Sequence, residues 1–349
     1  MELKALLDEM VRHGASDLHL AAGVPPVLRE NGNLLALGAE EEGANAFPIL
    51  TESDLRGFVT QLRAWLPDWD GRRTPILKLD GMYFRIAMLS EIGVPAISIR
   101  LIPLRIPNMV DLFREEHPLY EMLGLRRGLV VVAGPAGSGK STTVMSMIEE
   151  INRTRSERIC VIGLEYPIQS KLSLVTQSYH GNDFETMDEA VKRVGAMDPD
   201  IVVMIEPVDE AGIMGALRFA VTGHLVFLTV HADSTGEAIE EILLMAQSQA
   251  VRARKYLADS LHAVVAQRLL RRSPEQGRVP IHEILMATPW VKERIRKGEV
   301  DFKDIIEDGK GKEMLSFDGS IVDLLDRGRI SPETAMEHMQ NMRYRREGF

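Results

Sequence analysis

Cysteine is nearly missing from this chain. The one copy among 349 residues, Cys160, sits in the apolar run "RICVIG", so no disulfide can form within the chain and the thiol reads as a buried structural one. An excess of positive charge is missing too. Lys and Arg number 41 against 51 Asp and Glu, a net charge of −10, whereas a nucleic-acid binder needs a concentrated basic surface. The short basic runs "RRGLV" and "RLLRRS" read as solvated faces or helix ends. No window approaches ~18 uncharged apolar residues, which excludes a membrane-spanning helix. The opening "MELKALLDEMVRHG" mixes acids with its apolar positions, unlike a signal peptide. No internal repeat is present. A cytoplasmic location is the expectation.

What remains is ordinary for a globular protein: 45% hydrophobic and 26% charged residues, in a chain long enough for two cores. Positions 3, 6, 7, 10 and 11 are apolar at helical spacing, so a short amphipathic helix opens the chain and Gly14 stops it. Short alternating runs follow in "DLHLAAG", "PPVLREN" and "GNLLAL", broken by turn residues as strands are. A helix is predicted from the cap-like "TESD" at Thr51 to Trp65. Three more strands are predicted in "PILKLD", "MYFRIAML" and "AISIRLI". This pattern predicts a small α+β domain over residues 1–102. Pro103, Pro107 and Pro118 crowd the next stretch and argue against a regular element there, so 103–118 reads as a linker.

From 119 to 349 the rhythm becomes strand, helix, strand, helix. "GLVVVAG" is continuously apolar, as a strand covered on both faces would be. "RICVIGL", "DIVVMI" and "HLVFLTV" repeat the pattern, which predicts a parallel α/β sheet. The tail beyond about Pro289 reads as helical. Between the first of these strands and the helix predicted from Lys140 stands "GPAGSGKSTT", Gly134 to Thr143. It fits the phosphate-loop pattern in the strand–loop–helix context that the pattern requires. Backbone N–H groups of Gly134, Pro135's successor Ala136, Gly137, Ser138 and Gly139 would wrap a phosphate chain at a helix N-terminus. Lys140 would reach the β- and γ-phosphates of ATP, and the Ser141 hydroxyl, followed by Thr142, would complete a Mg²⁺ shell.

Hydrolysis needs a carboxylate at the tip of a neighbouring strand. Glu206 ends "DPDIVVMIE", and Glu165 ends "VIGLE" as a second candidate. His231 closes "HLVFLTVH" and His224 opens it. A histidine at a strand end ordinarily satisfies a local carbonyl; beside bound nucleotide it could sense the γ-phosphate.

Five motifs together resemble one family. "GASDLHLAAGVPPVLRENG", "GLVVVAGPAGSGKSTT", "VIGLEYPIQ", "DPDIVVMIEPVDE" and "TGHLVFLTVHADS" are similar, in order and spacing, to the N-terminal signature, Walker A, Asp box, Walker B and His box of the secretion ATPase superfamily. That superfamily drives type IV pili and type II and IV secretion, and the pilus-retraction branch is the most similar. "SLHAVVAQRLL" and "GRVPIHEIL" also look like family segments. The resemblance implies a PAS-like N-terminal domain, a RecA-like P-loop ATPase core, a homo-hexamer and an inner-membrane platform protein as partner. It implies nucleotide-site roles for His224 and His231, and for Arg85 and Arg100 of the N-terminal domain. A guanidinium there suits γ-phosphate chemistry, and such arginines supply ~10³–10⁵ in rate, about 4–7 kcal/mol of barrier.

The chain also departs from the family pattern. Tyr166 replaces the Asp of the acidic box and Gln169 its second Glu. Ile205 replaces a Gly, and Pro207-Val208 a Met-Arg. "SEIGV" replaces a Gln-Arg-Gly, and the retraction motif survives only as "WVKERIRKG". These changes remove charge from the expected nucleotide site. Three rival expectations stand beside a retraction motor: an assembly or secretion ATPase, a low-activity ATP-binding paralogue that modulates another pilus ATPase, and a DNA translocase, which the acidic balance disfavours.

Overall fold

The computed structural model describes residues 2–30, 32–37, 47–71, 74–102, 106–163, 174–180, 183–207, 209–274, 277–308 and 313–339. The chain divides into two compact units, 1–105 and 106–349.

The first unit sets two helices, α1 (Leu3–Arg12) and α2 (Glu52–Trp65), against a six-stranded sheet. Its strands are β1 (Asp17–Leu20), β2 (Val27–Glu30), β3 (Asn33–Ala36), β4 (Ile76–Leu79), β5 (Met82–Glu91) and β6 (Val94–Ile102). They lie in the order β3-β2-β1-β6-β5-β4, every neighbouring pair antiparallel. α1 forms because Leu3, Leu6, Leu7 and Met10 fall on one face, and all four are buried. Val11, read as part of that stripe, faces solvent instead. α2 starts where Thr51 and Asp54 close a capping box, which satisfies two otherwise orphaned donors. Its Leu55, Phe58 and Leu62 pack with Leu18, Ile86 and Ile99 in one core. Because side chains alternate along a strand, the opposite face of this sheet carries Arg29, Asp17, Arg100 and Arg85 as one row of facing residues.

The second unit opens with α3 (Met109–Leu112) and α4 (Leu119–Met122), then β7 (Gly128–Ala133) and α5 (Lys140–Thr154). There follow β8 (Ile159–Gly163), β9 (Val175–Tyr179), α6 (Met187–Gly195), β10 (Ile201–Ile205), α7 (Glu210–Val221) and β11 (Leu225–Val230). Next come α8 (Thr235–Met245), α9 (Ala250–Ser260), β12 (Leu261–Arg271) and β13 (Arg278–Met286). The described chain ends with α10 (Pro289–Lys297), α11 (Lys303–Asp308), α12 (Phe317–Asp326) and α13 (Pro332–His338). The sheet order is β13-β12-β7-β11-β10-β8-β9, parallel except for the antiparallel β12–β13 pair. Leu129, Val131 and Ala133 of β7 face one core and Val130 and Val132 the other. That two-sided burial is why the strand reads as an unbroken apolar run.

The expected fold class, a parallel α/β core with a smaller α+β unit before it, is the observed one. Two readings are corrected. The stretch 103–118 is, in its described part, not a free linker: Met109 and Phe113 are buried in the second unit's core, and Ser146 Oγ donates to the Pro107 carbonyl. The prolines prevent long regular structure, but the apolar residues between them still find a core. β9, β12 and β13 extend a sheet for which the sequence predicted four strands. "AVVAQRLL" is rich in good helix formers, and pairing with β7 overrides that preference.

Candidate nucleotide site

Parallel strands place their C-terminal ends along one edge of the sheet, where loops converge. Residues that follow β7, β10 and β11 meet there. The glycine loop leaves β7 and enters α5 at Gly139, which has φ +86 and lies at the N-cap. That left-handed backbone is open to glycine at little cost, and it leaves the first turn of α5 without a side-chain cap, as an anion-binding helix start requires. Gly134 is needed for a different reason. A Cβ there would lie 2.4 Å from the Gln267 carbonyl oxygen and 2.4 Å from Ser138 Oγ. Gly134 and Ser138 are buried, while Pro135, Ala136 and Gly137 form an exposed rim.

Lys140 is buried, with its side chain 3% exposed. Its Nζ donates to the carbonyls of Gly134 (2.9 Å) and Pro135 (3.1 Å). It also forms an ion pair with Glu206 Oε1 at 2.9 Å and lies 3.5 Å from His231 Nδ1. The other carboxylate oxygen of Glu206 lies 3.2 Å from His231 Nε2. Glu206 stands just past β10 with φ +49, a strained backbone for a residue with a side chain. Its N–H donates to Thr229 Oγ1 of β11 at 2.9 Å, and this bond pins the turn. Ile205, where the family has a glycine, lies opposite Gly163 of β8, and a Cβ on Gly163 would come within 2.8 Å of the Ile205 Cβ. The larger residue on one strand thus fits against a residue with no side chain on its neighbour.

Lys140, Glu206 and His231, distant in sequence, are therefore one cluster, with Ser141 and Thr142 on the first turn of α5 beside it. His224 is not part of it. That residue precedes β11 at the opposite end from His231, ~20 Å away along the strand. Its Nδ1 lies 3.0 Å from the Phe219 carbonyl and its ring packs on Phe219, the local satisfaction ordinary for a strand-end histidine. Glu165, Tyr166 and Gln169 lie outside the described residues, as does Val208. Arg85 and Arg100 face each other across β5 and β6 of the first unit, and Arg100 Nε donates to Asp17 Oδ1 at 2.7 Å. Asp17 is 4% exposed, so the "ASD" of the N-terminal signature buries a carboxylate that orients Arg100.

The residues fit a nucleoside triphosphate. Ser138 Oγ is buried with no hydrogen-bond partner among the described residues, close approaches at Gly134 and Gly139 leave no room for a Cβ atom, and the cation sits at a helix start. For Mg²⁺ the Ser141 hydroxyl, on the first turn of α5, is an oxygen donor that suits a hard cation, while both oxygens of Glu206 are engaged by Lys140 and His231. A cavity of about 280 Å³ lined by Arg114, His117, Asp323 and Arg327 shares no residue with this cluster.

The sequence matches the type II/IV secretion system protein family over residues 2–315. The chain belongs to that family. Among relatives, it is 32% identical to the type IV pilus retraction ATPase PilT of Pseudomonas aeruginosa, over 97% of this chain and 98% of that one. It is 30% identical to the type IV pilus ATPase PilU of the same organism, over 97% of this chain and 88% of that one. The crystal structure of the pilus retraction motor PilT with bound ADP superposes with a TM-score of 0.79 at 29% identity, covering 99% and 98% of the two chains. The family thus joins this fold, a RecA-like core behind a smaller N-terminal unit, to ATPases of type IV pili.

Three residues that buttress the cluster carried no signal of their own in the sequence: Thr143, Thr229 and Gln267. Thr143 is the second threonine of "KSTT", Thr229 lies inside an apolar strand, and Gln267 sits in a segment noted only as family-like.

Proposed function

We propose that this type IV pilus ATPase is a hexameric Mg-ATP-hydrolysing motor whose work is pilus retraction, the removal of pilin subunits that underlies twitching motility. The observation that carries the reading is the Lys140–Glu206–His231 cluster at the edge where β7, β10 and β11 end. It joins a phosphate-binding cation to a carboxylate placed for water. ATP binds along Gly134–Thr142, with Lys140 on the β- and γ-phosphates. Glu206 orients the attacking water and accepts its proton, and His231, in contact with Glu206, responds to the γ-phosphate. Mg²⁺, when bound, neutralises charge on the phosphates, and Ser141 holds it. Arg85 and Arg100 of an adjacent subunit stabilise charge as the two domains close, and Glu165 tunes metal or water. The similarity to PilT over the full chain supports retraction. No described helix is long and apolar enough to cross a membrane; in this reading the motor works from the cytoplasm on an inner-membrane platform protein.

A second reading has support of its own. The chain is nearly as similar to PilU as to PilT, and its acidic box has lost charge at Tyr166 and Gln169. A modulating paralogue of a retraction motor would bind ATP and turn over slowly. Phosphate release by the purified protein, with Lys140→Ala and Glu206→Gln beside it, separates the readings. A motor shows turnover that both substitutions abolish. ATP binding without turnover in the parent protein assigns the modulating role. Melting temperature is measured alongside, because truncating one partner of a buried ion pair costs about 3–5 kcal/mol.

A further inference from the structure

Gln267 is 1% exposed on β12 and reaches across to the phosphate loop. Its Nε2 donates to the Ser138 carbonyl at 2.6 Å. Its Oε1 accepts from Thr143 Oγ1 at 2.7 Å and lies 3.0 Å from His282 Nε2 on β13. His282 is fully buried, and burial, with the charge of His117 next, holds its pKa well below the usual histidine value. A neutral imidazole facing a carbonyl-type oxygen carries its proton on that nitrogen, so His282 donates. Both acceptor sites of Oε1 are then filled, which fixes the orientation of the amide. The contact extends to the glycines: a Cβ at Gly139 would lie 2.9 Å from Gln267 Nε2, and one at Gly134 would strike the Gln267 carbonyl. Behind His282, the ring of His117 packs edge-on at 4.9 Å and that of Phe113 at 5.3 Å.

The loop is thereby held at two points by one side chain: the Ser138 carbonyl before the helix, and the Thr143 hydroxyl on its first turn. A carbonyl turned toward Gln267 is a carbonyl turned away from the path of the loop N–H groups, which must all point one way to bind phosphate. We propose that Gln267, oriented by His282, is a positioning residue for nucleotide binding: it holds Ser138 and Thr143 so that the loop presents N–H groups rather than carbonyls to the phosphates. The assignment rests on the reading that the loop binds ATP. It adds a requirement from β12 and β13, elements outside the phosphate-loop motif.

Gln267→Glu tests it with almost no change in shape. A carboxylate still accepts from Thr143 and His282 but cannot donate to Ser138, whereas a carboxylic acid can. Equilibrium binding of a fluorescent ATP analogue is measured with the parent, Gln267→Glu and Lys140→Ala proteins across a pH series, with melting temperature at each point. The expected result is affinity about tenfold weaker in Gln267→Glu at about pH 8. Affinity recovers as pH falls toward about 5.5, because a buried carboxyl holds its proton above its usual range; by the same linkage the variant's melting temperature gains on the parent's, and the ratio of affinities to the parent closes. A role confined to core stability gives no such recovery. Folded Gln267→Glu that binds as the parent does, or binds weakly with no pH recovery relative to the parent, overturns the proposal. Should Gln267→Glu fail to fold, Thr143→Val removes one of the two tethers. Affinity reduced about threefold or more with the melting temperature kept is then expected, and unchanged affinity overturns the proposal. Failure of the parent itself to bind ATP overturns the nucleotide reading instead, and the Lys140→Ala arm shows which loop the analogue occupies.

Discussion

Lowering the pH from 7 to 5 should destabilise the second unit through His117, and the loss can be worked from its surroundings. His117 lies between α3 and α4 and is largely enclosed; burial, opposed by Asp323 and assisted by Arg114, lowers its pKa from 6.5 to about 4. Its Nδ1 accepts the Leu119 N–H at 3.3 Å, which suits a neutral ring. The folded protein therefore resists a proton that the unfolded chain takes up near pH 6.5. Between those two values the unfolded state binds more protons, so stability falls as pH falls. It is fully present above about pH 6.5 and its loss is complete near pH 4. The whole shift corresponds to about 3 kcal/mol, of which about 2 kcal/mol is lost between pH 7 and pH 5. His282, also held neutral, adds a loss of the same sign. For a unit of this size about 2 kcal/mol is a drop of roughly 4–8 °C in melting temperature. Other groups titrate in the same window, so the informative quantity is a difference. His117→Asn keeps an acceptor for Leu119 and carries no titrating group. Thermal unfolding of parent and variant without nucleotide, at pH 7, 6 and 5, should show the parent losing several degrees more than the variant. Equal losses in the two proteins would refute the assignment of this dependence to His117.

Two further outcomes follow from close contacts at the site. Gly134→Ala puts a Cβ 2.4 Å from the backbone oxygen of Gln267 while β7 and β12 are locked in register. Overpacking of about 1–3 kcal/mol should appear as a lower melting temperature together with lost binding of an ATP analogue, and a variant with parental values for both would contradict the geometry. Thr229→Val removes the acceptor of the Glu206 N–H without touching the phosphate loop. Steady-state phosphate release should fall about tenfold, as expected for one unsatisfied buried group, while analogue affinity stays within about twofold; an unchanged turnover number would show that Glu206 does not depend on this bond.

Chemistry concentrated in short segments was legible before any coordinates. "GPAGSGKSTT" carries its own context, since an apolar strand must precede it and a helix follow. Glu206 stood out because five apolar residues end at an acid. Even so, the same local logic selected both ends of β11, and only the folded sheet separates them: His231 reaches Glu206, whereas His224 is spent on the Phe219 carbonyl. The prolines of 103–118 were read by what they forbid locally, and the burial of Met109 and Phe113 depended on a core built elsewhere. Thr229 and Gln267 gave no sign, because a polar residue inside an apolar strand has meaning only through the neighbour it faces.

The sequence by itself determined the phosphate-binding loop, the alternation of strands and helices that makes a parallel sheet, the division between an α+β and an α/β region, and the family. Each of these is set by residues within a few positions of one another, through hydrophobic period, turn chemistry and glycine conformation. Only tertiary structure decided that Lys140, Glu206 and His231 meet, that Asp17 orients Arg100, and that Gln267 and His282 brace the loop. Those contacts join residues from 15 to 129 positions apart, and which side chains come together is decided by strand order and register, properties of the assembled sheet that no local segment contains.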